Sequence, residues 1–331
     1  MEITIINSLK KPKSKSRAKS EESSAILENG AQIKLKDIDI NKTVKEFKDH
    51  IYASLNLSSQ ISRNRLGIMV VTRKDSKEIR TFLSDDNQKL IFYDGVGDNN
   101  SIFHLKDIGP QINYRLVYVL EYLGPLIFSI LFFIRYVLVF TKNNPGKQLQ
   151  IHVLCYLFMT VFHFGKRIIE SIFVHIFSRT TMPLQNLFKN CAYYWGLYGI
   201  LCCYFIFHPN YTPINFLLGL RYIFVMFFFN AEIKNLKCHI ILRDLKKYNN
   251  GKKAPPPNKD GFEVCTCANY FWEFLAWFCF SIFSLHWSII LFTCCGFYQM
   301  KEWALKKHKI LNEVYGDKYP KNRKAFIPYF I

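Results

Sequence analysis

The sequence predicts a small α+β domain over residues 1–110, followed over 111–331 by a multi-pass α-helical membrane bundle of about six to seven spans. Two observations predict this. Apolar residues crowd into the last two thirds of the chain in runs near the ~20 residues that cross a bilayer as a helix, whereas the first third carries short strand-period and helix-period patterns. The composition agrees: half of the 331 residues are hydrophobic and 31 are Phe, yet the formal net charge is +19. Such a chain excludes a disordered or collagen-like polypeptide. It directs its positive charge toward a lipid bilayer and anionic cofactors, with no nucleic acid as partner.

Glu2 to Asn7 and Ala31 to Lys36 alternate as strands, with the Lys/Ser-rich tract Lys10–Ser24 as a flexible loop between them. Thr43-Val-Lys-Glu46 is a capping box opening a helix whose one face holds Val44, Phe47, Ile51 and Leu55. Leu66 to Thr72, Ile79 to Leu83 and Lys89 to Tyr93 are three further strand candidates. Two strands, a helix, then more strands is the order of a ubiquitin-like, β-grasp domain.

Spans are expected at 114–140, 150–177, 191–208, 214–230, 270–285 and 287–300. The amino terminus lacks the apolar run of a signal peptide, so the first domain is expected in the cytosol. Six spans return the carboxyl terminus there. Lys and Arg distribute accordingly: the expected cytosolic segments hold Lys237, Arg243, Lys246, Lys252, Lys253, Lys301, Lys306 and Arg323, and the opposite loops only Lys142 and Lys147. All ten cysteines fall after residue 150, several within apolar runs where a thiol is a small hydrophobe. Cys265 and Cys267 have no second pair at zinc-binding spacing, so no metal is expected.

Charged residues inside apolar spans cost about 2.5 to 3.5 kcal/mol each at a helix centre, which makes each a functional candidate. Glu121 lies about two turns into the first span; it either snorkels or pairs with an arginine, or it does chemistry. His163, Lys166, Arg167 and Glu170 share overlapping faces of the second span at i+3 and i+4 spacing, as a self-neutralising cluster or a ligand site. Glu232, Asn235 and His239, continued by Arg243, form a stripe that is either a solvated face or a set of donors for a phosphate- or amide-bearing ligand. Tyr270 opens the fifth span, as an interfacial anchor or as a phenol at the same boundary. Gly95 and Gly97 lack the third glycine of a Rossmann loop, so a dinucleotide would have to be held within the helices.

Glu121-Tyr-Leu-Gly-Pro125, His163-Phe-Gly-Lys-Arg-Ile-Ile-Glu170 with Phe173-Val-His175, Thr181-Met-Pro183, Asn186-Leu-Phe-Lys-Asn190, Tyr194-Trp195 and Tyr319-Pro-Lys-Asn-Arg323 with Ile327-Pro328 closely resemble the very-long-chain trans-2-enoyl-CoA reductases of the steroid 5-alpha-reductase family. The likeness covers nearly the whole chain. It implies a multi-pass enzyme of the endoplasmic reticulum membrane, with amino and carboxyl termini cytosolic, that uses NADPH to reduce a long-chain enoyl-CoA in the last step of each fatty-acid elongation cycle. It implies catalytic roles for Glu121 and Tyr270, and a cofactor-binding side formed by Glu232, Asn235, His239, Arg243, Tyr319 and Arg323. Lys166, Arg167, Glu170 and His163 are then expected on the substrate side, and other elongation enzymes as partners. Gly316-Asp-Lys318 lengthens the approach to Tyr319 in the manner of the steroid reductases. Alternatives are therefore a reductase of another enone lipid, an integral membrane methyltransferase of the isoprenylcysteine type, whose tail is similar, and a non-catalytic scaffold for elongation enzymes.

Overall fold

A computed structural model describes residues 2–9, 30–74, 77–97, 101–146, 148–213, 219–248 and 255–331. The tract Lys10–Ser24, Lys147, Lys252, Lys253 and the first residues of the expected fourth span, 214–218, lie outside the described residues. The chain divides into two units. One gathers Met1–Tyr114 with Phe177–Asn186; the other gathers Arg115–Ile176, Leu187–Tyr248 and Ala254–Ile331.

In the first unit, β1 (Ile3–Asn7), β2 (Gln32–Leu35), β3 (Leu66–Lys74), β4 (Lys77–Phe82) and β5 (Ser101–Asp107) form one mixed sheet in the order β2-β1-β5-β3-β4. The central pair β1 and β5 is parallel, Ile5 opposite Phe103, and the other pairings are antiparallel. The capping box forms as its sequence requires: Thr43 accepts from the Glu46 backbone, and the Glu46 carboxylate accepts from the Thr43 backbone at 2.8 Å. It starts α1 (Val44–Ser54), which buries Val44, Phe47 and Ile51 in a core with Ile3, Ile5, Ile68, Val70 and Leu105. Two expectations fail here. Lys89 to Tyr93 is a 3-10 turn over Leu90–Phe92, because the amides of Leu90 and Ile91 donate to Lys42 and Ile40 at the entry to α1 instead of to a strand neighbour. The sheet's central strand β5 lies in a segment not expected to be one.

The first unit also holds the segment that links the second and third expected spans. β6 (Gln111–Asn113) pairs antiparallel with β7 (Thr181–Pro183), and Asp86 donates its backbone N–H to Ser178 O at 2.7 Å.

The second unit is helical. α2 (Tyr114–Asn143) is followed by α3 (Ile151–Ile169), which ends in a π-helical turn over Glu170–Val174. α4 (Gln185–Cys191), a π-helical stretch over Ala192–Cys202 and α5 (Cys203–Ile206) then run on without a break. α6 (Ile223–Tyr248) packs along α7 (Ala268–Ser284), and α7 against α8 (Trp287–Tyr315). The core is aromatic: Trp277 of α7 stands edge-on to Phe292 of α8 with ring centroids 4.8 Å apart, and Tyr198 puts its hydroxyl 2.6 Å from that of Thr160.

Among the described residues, α2 is the one helix long and apolar enough by itself to cross a membrane, and 28% of its most apolar stretch is buried. Ile127, Ile130, Leu131, Ile134 and Leu138 are left on its outside. Monomeric soluble proteins rarely expose a contiguous apolar row of this kind. α6 and α8 differ from the expected spans in running on to Tyr248 and Tyr315. Lys246 and Lys247 in the last turn of α6 support its end beyond the apolar part.

The Glu121-Tyr-Leu-Gly-Pro125 segment is explained residue by residue. Pro125 sits inside α2 and has no N–H, so the Glu121 carbonyl loses its usual helical donor. Gly124 makes room for the Trp195 indole, which donates to Leu120 O at 2.9 Å; a Cβ at Gly124 would collide with that ring. Gly124→Ala is therefore expected to cost about 1 to 3 kcal/mol of stability as Trp195 is displaced. A thermal melt of the purified protein that is unchanged from wild type would refute this.

Candidate active site

α2 carries Glu121 into the interior, where it is 1% exposed. Asn190, near the end of α4, donates Nδ2 to Glu121 Oε2 at 2.7 Å. The charges acting on that carboxylate include Arg167 and Glu273. One residue on, the Tyr122 hydroxyl accepts from Arg167 Nη2 at 2.8 Å, and the guanidinium also lies over the Tyr122 ring.

Arg167 belongs to a buried ionic network made by the last turns of α3 and one face of α6. Its Nη1 donates to Glu170 Oε2 at 2.9 Å, the i,i+3 contact that the sequence spacing requires. Lys166 stands 2.8 Å from Glu232 Oε2 and 3.3 Å from Glu170 Oε1. His163 Nδ1 lies 2.6 Å from Glu232 Oε1, and His239 Nδ1 lies 3.1 Å from Glu170 Oε2. Each acid thus meets at least two nitrogen-bearing partners, which is what permits charged groups to remain inside a protein. The set expected on the substrate side, His163, Lys166, Arg167 and Glu170, and three of the residues expected on the cofactor side, Glu232, Asn235 and His239, are therefore one interlocked cluster. Arg243, further along α6, instead pairs with its neighbour Asp244 at 2.8 Å and is partly exposed.

Glu170, His175 and His239 bring three possible ligand atoms within 4.8 Å of one another. The position is already claimed by a cation, because Arg167 Nη1 reaches both Glu170 Oε2 at 2.9 Å and His239 Nδ1 at 3.3 Å.

From this network the chain of contacts continues to α7. Lys166 donates to Asn235 Oδ1 at 2.5 Å, and Asn235 Nδ2 donates to the backbone O of Asn269 at 2.8 Å. Tyr270 is the next residue. It is half-buried on the first turn of α7, its ring 6.2 Å from that of Trp303. The chain just before Tyr270 also receives the tail. The Thr266 and Cys267 amides donate to Lys324 O and Ala325 O at 2.7 and 3.2 Å, and the Lys324 amide returns a bond to Val264 O at 2.9 Å. Cys265 and Cys267 are buried in this exchange, as structural residues of the joint. Thr266 Oγ1 lies 2.6 Å from both Tyr319 Oη and His308 Nδ1. Burial, with Arg323 and Lys324 beside it, lowers the His308 pKa below its ordinary value, so the imidazole is neutral near pH 7 and able to accept the threonine proton. Arg323 is 4% exposed and lies over the Tyr319 ring.

Along this path Asn269 Oδ1, Arg167 Nε and Arg323 Nε are among the polar atoms buried with no hydrogen-bond partner among the described residues. Buried polar groups are normally satisfied, so such atoms mark places where a ligand or water completes the structure. Sequence reasoning did not single out Asn190, Asn269 or Glu273 as site residues. Asn190 and Asn269 could have been found as polar residues at the ends of apolar runs, and Glu273 as an acid one helical turn beyond Tyr270.

Comparison with known proteins shows what the chain is similar to. Residues 180–331 match the family described as 3-oxo-5-alpha-steroid 4-dehydrogenase. The chain is 36% identical to the very-long-chain enoyl-CoA reductase of Dictyostelium discoideum over 87% of its own length and 92% of that protein's. It is 38% identical to a protein of Schizosaccharomyces pombe named as an enoyl reductase, over 83% of this chain and 92% of that one. With the trans-2,3-enoyl-CoA reductase-like protein of Bos taurus the identity is 30%, over 69% of this chain and 64% of the other. Identity at that level, over nearly the full length of the first two relatives, settles the family: the chain belongs to the enoyl-CoA reductases of the steroid 5-alpha-reductase family, oxidoreductases that act on a carbon–carbon double bond.

Proposed function

We propose that this chain reduces the trans-2,3 double bond of long- or very-long-chain enoyl-CoA with NADPH, as the last step of a fatty-acid elongation cycle, in the endoplasmic reticulum membrane. The observation that carries the reading is the buried polar path from Glu121, by way of Tyr122, Arg167, Lys166 and Asn235, to the segment that bears Tyr270 and receives the tail. An ionic interior of this extent costs too much to be incidental. The relative in Dictyostelium discoideum is named a very-long-chain enoyl-CoA reductase, and that in Bos taurus trans-2,3-enoyl-CoA reductase-like.

The residues on the path fit a dinucleotide. Among the described residues Arg323 Nε and the Asn269 amide oxygen are buried without a hydrogen-bond partner; the first suits a phosphate and the second an amide N–H. Arg323, Tyr319 and Arg243 would hold the charged parts, with Glu232, Asn235 and His239 fixing the wall of the site from within. When bound, NADPH supplies the hydride that goes to the β-carbon of the substrate. The chain's own groups manage the rest. Tyr270 holds the proton destined for the α-carbon, and Glu121 in its protonated form, oriented by Asn190, donates a hydrogen bond to the thioester oxygen on which negative charge develops. Lys246, Lys247 and Lys259 meet the phosphates of CoA.

The membrane reading extends to a bundle of about six to seven spans with both termini in the cytosol. What supports it beyond α2 is the apolar outer face of other helices: Phe158 and Phe162 on α3, Met226 and Phe227 on α6, and Trp287 and Leu291 on α8. The sheet order and the packing of α1 on the sheet support a β-grasp, ubiquitin-like reading of the N-terminal domain.

Incubation of the purified protein with NADPH and a long-chain trans-2-enoyl-CoA, followed at 340 nm, tests the proposal. Loss of absorbance that requires both is the expected result. No turnover with the enoyl thioester, together with methyl transfer from S-adenosylmethionine, would replace it with the methyltransferase reading.

A further inference from the structure

The helical unit carries a second polar cluster, at the opposite end of α3 and α6 from the ionic network. His152 and Tyr156 stand one turn apart at the start of α3, and His152 lies about 21 Å along that helix from Lys166. Arg221 sits on the 3-10 turn Leu220–Tyr222 that leads into α6. Its guanidinium lies over the rings of Tyr222 and of Phe283 on α7, at 5.2 and 5.7 Å, and its Nη2 donates to the Tyr222 hydroxyl at 3.4 Å. Tyr156 closes the group from α3, its ring 5.2 Å from that of Phe283. Tyr211 donates its hydroxyl to Ser284 O and stands with its ring 6.5 Å from that of His152. Arg221 is near enough to His152, Tyr156 and Tyr211 to act electrostatically on all three.

What this cluster lacks is a negative charge. Arg221 Nη1 is buried with no hydrogen-bond partner among the described residues, and so is Nε2 of His152, whose ring is bonded to the Tyr211 backbone. The ionic network gives Lys166 and Arg167 carboxylates to pair with, but here the chain has none to offer. Residues 122–169, 171–231 and 274–301 contain no Asp or Glu. Glu232, the next acid after Arg221, is roughly 16 Å further along the helix and is already engaged by Lys166 and His163. A buried guanidinium without a counter-charge is strongly disfavoured, so its anion comes from outside the chain. The surroundings say which kind. Leu220, Ile223 and Ile151, beside Arg221 and His152 in the chain, are exposed, so a ligand that reaches Arg221 over this surface meets hydrocarbon as well as charge. A headgroup ammonium would find no carboxylate there. We propose that Arg221, with His152, binds the phosphate of a net-anionic phospholipid whose acyl chains lie against Leu220, Ile223 and Ile151. The inference rests on the membrane reading and not on the reductase activity.

Native mass spectrometry and thermal melts of the full chain in neutral detergent test it. Four additives are compared at equal concentration: phosphatidylglycerol, phosphatidylcholine, diacylglycerol and inorganic phosphate. Phosphatidylglycerol is expected to be retained and to raise the melt, with the other three well below it. Arg221→Gln is expected to weaken retention about tenfold or more, the worth of a hydrogen bond to a charged group, and Arg221→Lys to restore part of it. Because Gln removes an unpaired charge, the lipid-free variant should melt no lower than lipid-free wild type, which separates a lost ligand from a lost fold. Equal retention by Arg221→Gln and wild type overturns the proposal. A lower melt of the lipid-free variant does so too, since Arg221 would then have its partner inside the chain. So does a match to phosphatidylglycerol by phosphatidylcholine or diacylglycerol, which would remove the need for anionic charge, or by inorganic phosphate, which would make this a site for a free anion. Recovery of the chain in the membrane fraction is scored separately. A chain found free of membrane would sink the membrane reading and this one with it, whereas lost selectivity in a membrane-bound chain sinks this one alone.

Discussion

Replacing Glu121 by Gln, or Tyr270 by Phe, is expected to lower turnover by about two to three orders of magnitude while NADPH still binds. The size follows from weakening one hydrogen bond to a developing oxyanion, where removal of a donor is worth about 2.7 to 4 kcal/mol, and from removing a general acid, worth about 10²- to 10⁴-fold. Gln keeps the shape of Glu121 and still accepts from Asn190 Nδ2, so the packing around this buried position survives. Phe keeps the ring contact of Tyr270 with Trp303. Tyr270→Phe loses the proton destined for the α-carbon, and Glu121→Gln exchanges an acidic O–H for the weaker amide donor toward the developing oxyanion. Stopped-flow oxidation of NADPH measures the step, and quenching or enhancement of the cofactor's fluorescence measures binding. Near-normal turnover in either variant would remove that residue from the mechanism. A joint loss of cofactor affinity would assign both to the framework of the site instead.

The largest effect on stability is expected at Glu232. It is 1% exposed, and Lys166 and His163 both depend on it, at 2.8 and 2.6 Å. Glu232→Gln leaves Lys166 with Glu170 as its one acid and strands positive charge in the interior, at a cost of about 3 to 5 kcal/mol. Lys166→Met in the same chain removes the stranded charge, so the double variant is expected to recover much of the loss. Thermal unfolding in detergent reads both. A single variant that melts with the wild type would show that the pair contributes little, and a double variant no better than the single would show that the two side chains are not coupled.

How much of this could be read from the sequence varies with the physics of each element. The capping box and the apolar face of α1 were legible because both are local: hydrogen bonds three residues apart and a helical period. β5 was not, since Ser101-Ile-Phe-His-Leu-Lys-Asp does not alternate cleanly. As the central strand it buries both of its faces, and Phe103, His104 and Leu105 are consecutive buried residues. Likewise Leu90–Phe92 has a strand's composition but a turn's backbone, because pairing with the entry to α1 outweighs its propensity.

At the site, the spacing on α3 gave the Arg167–Glu170 and Lys166–Glu170 contacts directly. What spacing along one helix could not give is that Glu232, Asn235 and His239 face those residues across the gap between α3 and α6. Partners brought together from 69 or 72 residues apart leave no periodic trace in the sequence. Asn190 had none either, being a single amide whose role depends on a distant carboxylate.

Lys166 and Arg167 against Glu170 and Glu232 make the α3–α6 interior electroneutral, so the formal excess of +19 resides elsewhere, on loops, tail and outer faces. Ionic strength therefore acts on the two populations differently. Mobile counterions screen the peripheral lysines and arginines that draw polyanionic molecules in from solution, but they do not enter a volume from which water is excluded. Recruitment and integrity are thus separable by salt alone: a concentrated buffer slows capture of nucleotide and thioester while the interior that receives them keeps its shape.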